Sequence, residues 1–120
     1  MKNPTRELSK RVLTGVSFEN RFIGYTLGSH SGFQPVTNYT FNELVELLKA
    51  RLPLVKLENL EKWIREVMGD EELADEILNI SKTTPIYINQ IGEVRNVMEK
   101  RLEQCRKAEL NRINALIESV

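Results

Sequence analysis

Apolar residues return at intervals of three and four along most of this 120-residue chain, the signature of helices with one buried face. A short first helix is expected from about Thr5 to Leu13, with Leu8, Val12 and Leu13 on its apolar side and Gly15 as its stop. At about two turns it is too short to persist alone and must dock on the rest of the domain. The spacing then changes. Phe22-Ile23-Gly24-Tyr25-Thr26-Leu27 alternates, placing Ile23, Tyr25 and Leu27 on one face as in a half-buried strand. Phe33 to Tyr39 supplies a partner strand across the glycine-flanked run Gly28-Ser29-His30-Ser31-Gly32, and Pro35, which has no amide donor, marks it as an edge. A lone hairpin is marginal in water, so helices are expected to cover one of its faces.

Helical spacing resumes after Tyr39. Thr40 can cap a first turn while Glu43 reaches back toward the cap amide, and Tyr39 and Leu44 occupy the staple positions, so a helix is expected from Phe41. Its apolar residues Phe41, Leu44, Val45, Leu47, Leu48 and Leu52 exceed one stripe, which predicts packing from two sides, and Pro53 is its expected end. Leu57 to Met68 forms a second amphipathic stretch on Leu57, Leu60, Trp63, Ile64, Val67 and Met68. Gly69 suits a left-handed C-terminal cap, and Asp70 suits the start of a third helix with Leu73, Ala74, Ile77 and Leu78 inward.

From Thr84-Pro85, read as a cap followed by a first-turn proline, no further proline interrupts the chain to Val120. One unbroken helix over 85–120 would run about 54 Å at about 1.5 Å per residue. A compact chain of this size has a radius of gyration of only about 13–14 Å. Such a helix either overhangs its globule or breaks, and Gly92 is its weak point. Ile91, Val94, Met98, Leu102 and Cys105 form one apolar stripe; after polar Arg106, Lys107 and Glu109, a second group follows: Leu110, Ile113, Leu116, Ile117 and Val120. The gap implies a change of partner surface along the helix. The fold expected is one predominantly helical α+β domain over 1–120: a short helix, a β-hairpin, three short helices and a long last helix.

Charge changes this picture only in detail. Lys plus Arg equal Asp plus Glu, seventeen of each, which weighs against a dedicated nucleic-acid binder, since such proteins carry a basic excess. The neutrality is segmental: five basic and two acidic residues over 1–21, five and ten over 41–77, and seven and five over 78–120. The single Cys105 excludes an internal disulfide and, with no apolar leader at the N-terminus and no membrane-length apolar run, points to a cytoplasmic protein.

Candidate chemistry is sparse. His30, the one histidine, lies between Ser29 and Ser31, a trio that could bind a ligand or supply a base. The run matches neither the nucleophile elbow nor a P-loop, and small polar residues at a hairpin tip need no function. Cys105 on the apolar stripe reads as a small hydrophobe. Asp70, Glu71, Glu72, Asp75 and Glu76 lack the spacing of a calcium loop, and acidic residues suit a helix N-terminus for electrostatic reasons. Arg95, Lys100, Arg101, Arg106, Lys107 and Arg112 are balanced by five glutamates on the same helix, as on a solvated mixed face.

No cofactor, metal site or catalytic set is expected. The reading that follows is a small non-enzymatic interaction protein, an adaptor or regulator, whose last helix mediates dimerisation or partner docking through Leu110, Ile113, Leu116, Ile117 and Val120. Two alternatives remain: a nucleic-acid-binding regulator with the hairpin as a wing, and a ligand-binding domain or enzyme centred on His30.

Overall fold

The computed structural model describes residues 1–28 and 32–120. Ser29, His30 and Ser31, the candidate ligand trio, lie outside the described residues. Helix α1 (Arg6–Leu13) is followed by a short 3-10 turn (Phe18–Asn20) and the hairpin strands β1 (Phe22–Leu27) and β2 (Phe33–Asn38). Helices α2 (Phe41–Lys49), α3 (Leu57–Lys62, continuing as a π turn over Trp63–Val67), α4 (Glu71–Thr83) and α5 (Tyr87–Glu118) complete the chain. The architecture is the predominantly helical α+β arrangement expected from the spacing.

Local chemistry explains most boundaries. Thr5 caps α1 by accepting from the Leu8 amide at 3.2 Å. Thr40 accepts from the Glu43 amide at 3.0 Å, and the Glu43 carboxylate accepts from the Tyr39 amide, one residue before the cap, at 2.9 Å. Gly69 takes φ +73° after the π turn, and Asp70 caps α4 by accepting from Leu73 at 3.1 Å. Two expected boundaries move. Helix α2 ends at Lys49, well before Pro53, and Leu52 stands outside it, exposed, with φ 46°. Thr84 closes α4, its amide donating to the Ile80 carbonyl at 3.0 Å, so α5 begins at Tyr87 rather than Pro85.

Strands β1 and β2 pair antiparallel with Tyr25 opposite Pro35, and the other edge of β1 forms a bridge to Leu54. The Tyr25 amide and carbonyl both serve that bridge, at 2.9 and 2.7 Å. Pro35 is therefore in a pair without mutual hydrogen bonds, and its missing donor faces the open edge of β2, where proline is tolerated. The face of the hairpin that packs on the helices is the reverse of the one the alternation suggested. Phe22 and Gly24 are buried, whereas Ile23 and Tyr25 are exposed. Phe22 meets Trp63 edge-on with ring centroids 5.9 Å apart, and the space a side chain at Gly24 would need is already filled by Leu47 and Val55.

The core lies between α2, α4 and α5, with α1 against α5, and is built from residues such as Phe41, Leu44, Leu48, Leu60, Ile64, Leu73, Ile77, Val94 and Met98. Leu78, expected inward, is exposed, and Ile80 takes the buried position. Helix α5 passes through Gly92 without a break. At about 1.5 Å per residue it is about 48 Å long, nearly spanning the 55 Å longest dimension of the molecule. The radius of gyration of 15.4 Å exceeds the compact value because this helix overhangs.

Candidate functional site

Helix α5 supplies two apolar surfaces that the chain itself leaves open. Its buried residues are Ile91, Val94, Met98, Arg101, Leu102 and Cys105, and none follows Cys105. The helical positions that would carry this core stripe further are taken by Glu109 and Arg112, which pair with each other at 3.2 Å through Arg112 Nε. The Arg112 guanidinium holds the Glu109 carboxyl below the usual carboxylate range. A polar pair thus closes the core stripe, and the apolar positions beyond it rotate by roughly 70° around the helix at about 100° per residue. Leu110, Ile113, Leu116 and Ile117 are 57%, 41%, 54% and 66% exposed, and Val120 beyond the helix is fully exposed. The four helical residues among the five singled out from the sequence therefore share one uncovered side.

The second surface lies at the opposite end of α5. The Tyr87 hydroxyl accepts from the Val55 amide at 2.8 Å and lies 3.0 Å from the Pro53 carbonyl, to which it can donate. This pins the start of the helix to the segment that bridges β1. Around the anchor, Phe33, Leu52, Leu54, Ile88 and Gly92 line a hollow of about 530 Å³ with Lys49 and Arg95 at its rim. A neighbouring hollow of about 780 Å³ lies against Ile23, Tyr25, Leu54 and Leu57, with polar Asn59, Ser81 and Gln90 on its walls. The open hairpin face continues this surface: by register, Ile23, Tyr25, Leu27, Phe33, Pro35 and Thr37 lie on one side. By residue type this face is apolar rather than basic. Sequence reading missed this surface because its residues come from three separated segments. The apolar triplet Ile86-Tyr87-Ile88 was its one local signal, since no single helix face can bury all three.

The acidic cluster and the basic face separate on inspection. Asp70 and Arg101, both 2% exposed, form a buried ion pair with Arg101 Nε 2.8 Å from Asp70 Oδ2. Arg101 Nη2 reaches Glu72 Oε1 at 3.0 Å, and Nη1 reaches the Lys2 carbonyl at 2.9 Å and Gln104 Oε1 at 3.0 Å. Arg101 is therefore not part of a solvated mixed face. It lies on the core stripe, and the spacing Val94, Met98, Arg101, Cys105 was the signal that it points inward. Its role is to lock the N-terminal arm and the start of α4 onto the middle of α5. Among the described residues, no group of three or more His, Cys, Asp or Glu side chains is placed to hold a metal ion.

Cys105 is buried, and burial pushes its thiol pKa up, with the Ser9 hydroxyl and Arg101 pulling partly the other way. The thiolate is the reactive form, so this position disfavours nucleophilic chemistry. Labelling of native protein by a thiol reagent at pH 8 is expected to be at least about a hundredfold slower than labelling in denaturant. Rapid native labelling would contradict this placement. No helix among the described residues is long and apolar enough to cross a membrane. Comparison of the chain with protein-family models, with curated proteins and with solved structures gave no match.

Proposed function

We propose that this chain is a small non-enzymatic interaction module of the cytoplasm that associates with its own kind through the distal third of α5. One observation carries the reading: the helix remains intact past the end of the core while Leu110, Ile113, Leu116 and Ile117 all stand in solvent on one side. Extending a helix beyond its own globule is close to neutral in free energy, since each hydrogen bond gained offsets the entropy of one residue fixed, so docking of an apolar face adds stability there. A polar surface would suffice if the overhang served solubility alone. Instead the apolar residues repeat at the three- and four-residue spacing that fits a groove or a second helix. The cytoplasmic assignment rests on the single, buried, unpaired thiol.

Exposed positions permit a clean test, because substituting them leaves the core untouched. Ile113→Lys with Ile117→Lys is expected to change folding stability by no more than about 0.5 kcal/mol per site, lysine being as good a helix former as isoleucine. The same pair is expected to weaken association at least about tenfold in sedimentation experiments. Unchanged association in the double variant would remove the distal stripe from the interface.

A further inference from the structure

The two open surfaces of α5 lie on the same side of the helix. Gly92 and Leu110 are about five turns apart at about 3.6 residues per turn, as are Arg95 and Ile113, so each pair shares one azimuth. The hollow at the start of α5 and the apolar stripe at its end therefore face the same direction, about 30 Å apart at about 1.5 Å per residue. Between them this side carries Glu99, half-buried, and Arg106, exposed, both next to α2, whose Lys49 and Asn42 they meet. A second helix running antiparallel along this side, centred between residues 102 and 103, sets Glu99 of each copy opposite Arg106 of the other. The same register brings Ile117 over Ile88 and Ile113 over Gly92, where the position of a Cβ meets nothing within 4 Å. Gly92 thus leaves room for a partner side chain.

We propose that the occupant of the hollow lined by Phe33, Leu54, Ile88 and Gly92 is the distal stripe of α5 from a second copy of this chain, reciprocally, in an antiparallel two-fold dimer. This rests on the self-association reading above and specifies its geometry. Area favours this arrangement over two distal stripes zipped on each other. Reciprocal docking makes two stripe-in-hollow contacts, and a stable interface buries about 1,600 Å² in total. Stripe against stripe makes a single contact and leaves both hollows open. Charge agrees with the register. Arg106 holds only a 3.3 Å hydrogen bond to Asn42, and Glu99 is shared by Lys49 at 3.6 Å and Arg95 at 3.9 Å, so both remain open to a partner. An isologous contact of this kind also closes, and yields a dimer rather than a filament.

Ile88→Cys and Ile117→Cys variants of the full chain, mixed in equal amounts and oxidised with copper phenanthroline, test the geometry. The expected product is a disulfide dimer containing one copy of each variant, formed at least fivefold more than either variant yields alone, with unsubstituted protein as the control for Cys105. Glu99→Arg and Arg106→Glu are each expected to weaken the dimer about tenfold, and the doubly substituted chain is expected to recover. A dominant Ile117→Cys homodimer would overturn the antiparallel register while leaving self-association in place. A chain that stays at monomer mass at every concentration, with no cross-link, would overturn the dimer and the self-association reading together.

Discussion

Arg101→Ala is expected to destabilise the fold by about 3–5 kcal/mol, the range found when one partner of a buried ion pair is removed. The cost does not come from losing an attractive contact alone. The alanine leaves the Asp70 carboxylate, 2% exposed, without its cation, and removes the hydrogen bonds to the Lys2 carbonyl and to Gln104 Oε1. Because small domains are stable by only about 5–15 kcal/mol, this single change approaches the whole margin. At a urea dependence of about 1.5 kcal/mol per molar, the midpoint moves down by roughly 2–3 M. Asp70→Ser combined with Arg101→Met should recover most of the loss: serine retains the cap on Leu73, and methionine fills the volume without a charge. By contrast, Arg65 bridges Glu61 at 3.0 Å and Asp75 at 2.7 Å at the surface, where solvent screens such pairs and they contribute little. A loss below about 1 kcal/mol for Arg101→Ala would show that water reaches the pair.

The second large effect is expected at Gly24, where strand propensity and packing predict opposite signs. Exposed strands favour alanine or valine over glycine by up to about 1 kcal/mol. Here an added Cβ would lie 2.5 Å from Leu47 Cδ2 and 3.1 Å from Val55 Cγ2. Leu47 is flexible but buried in the core, so its end can yield only by disturbing neighbours already at crystal-like density. Gly24→Ala is therefore expected to cost about 1–3 kcal/mol, as overpacking does, and Gly24→Val more. For a domain of this size, Gly24→Ala should lower Tm by roughly 4–15 °C. A raised Tm would mean that the hairpin does not press on α2 as described.

Gly24 also explains why the sequence misled at the hairpin. Alternation identifies two strand faces but not which is buried, and Ile23, Tyr25 and Leu27 outweigh Phe22, Gly24 and Thr26 in apolar bulk. Close approach of α2 selects the face with no side chain at its centre, and the Phe22–Trp63 contact fixes it. That choice is tertiary. Signals confined to a few neighbouring residues were legible: the Thr40 and Glu43 cap, the Gly69-Asp70 junction, and Pro35 on an edge. Arg101 was countable as inward from its spacing, yet its charge argued for solvent, and only the arrival of Asp70 from α4 resolves the conflict. Residue spacing also groups Leu110, Ile113, Leu116 and Ile117 on α5, where all four are exposed. The hollow they are proposed to enter was not legible, because Phe33, Leu54 and Ile88 become neighbours only after the chain has folded.

On the proposed reading, α5 overhangs in order to dock on a second copy. Sedimentation equilibrium of the unsubstituted chain between roughly 1 µM and 1 mM, a range that brackets weak to moderate association, tests it most directly. The expected mass rises with concentration from 13.9 kDa toward twice that value and no further. A mass that stays at the monomer value throughout would contradict it.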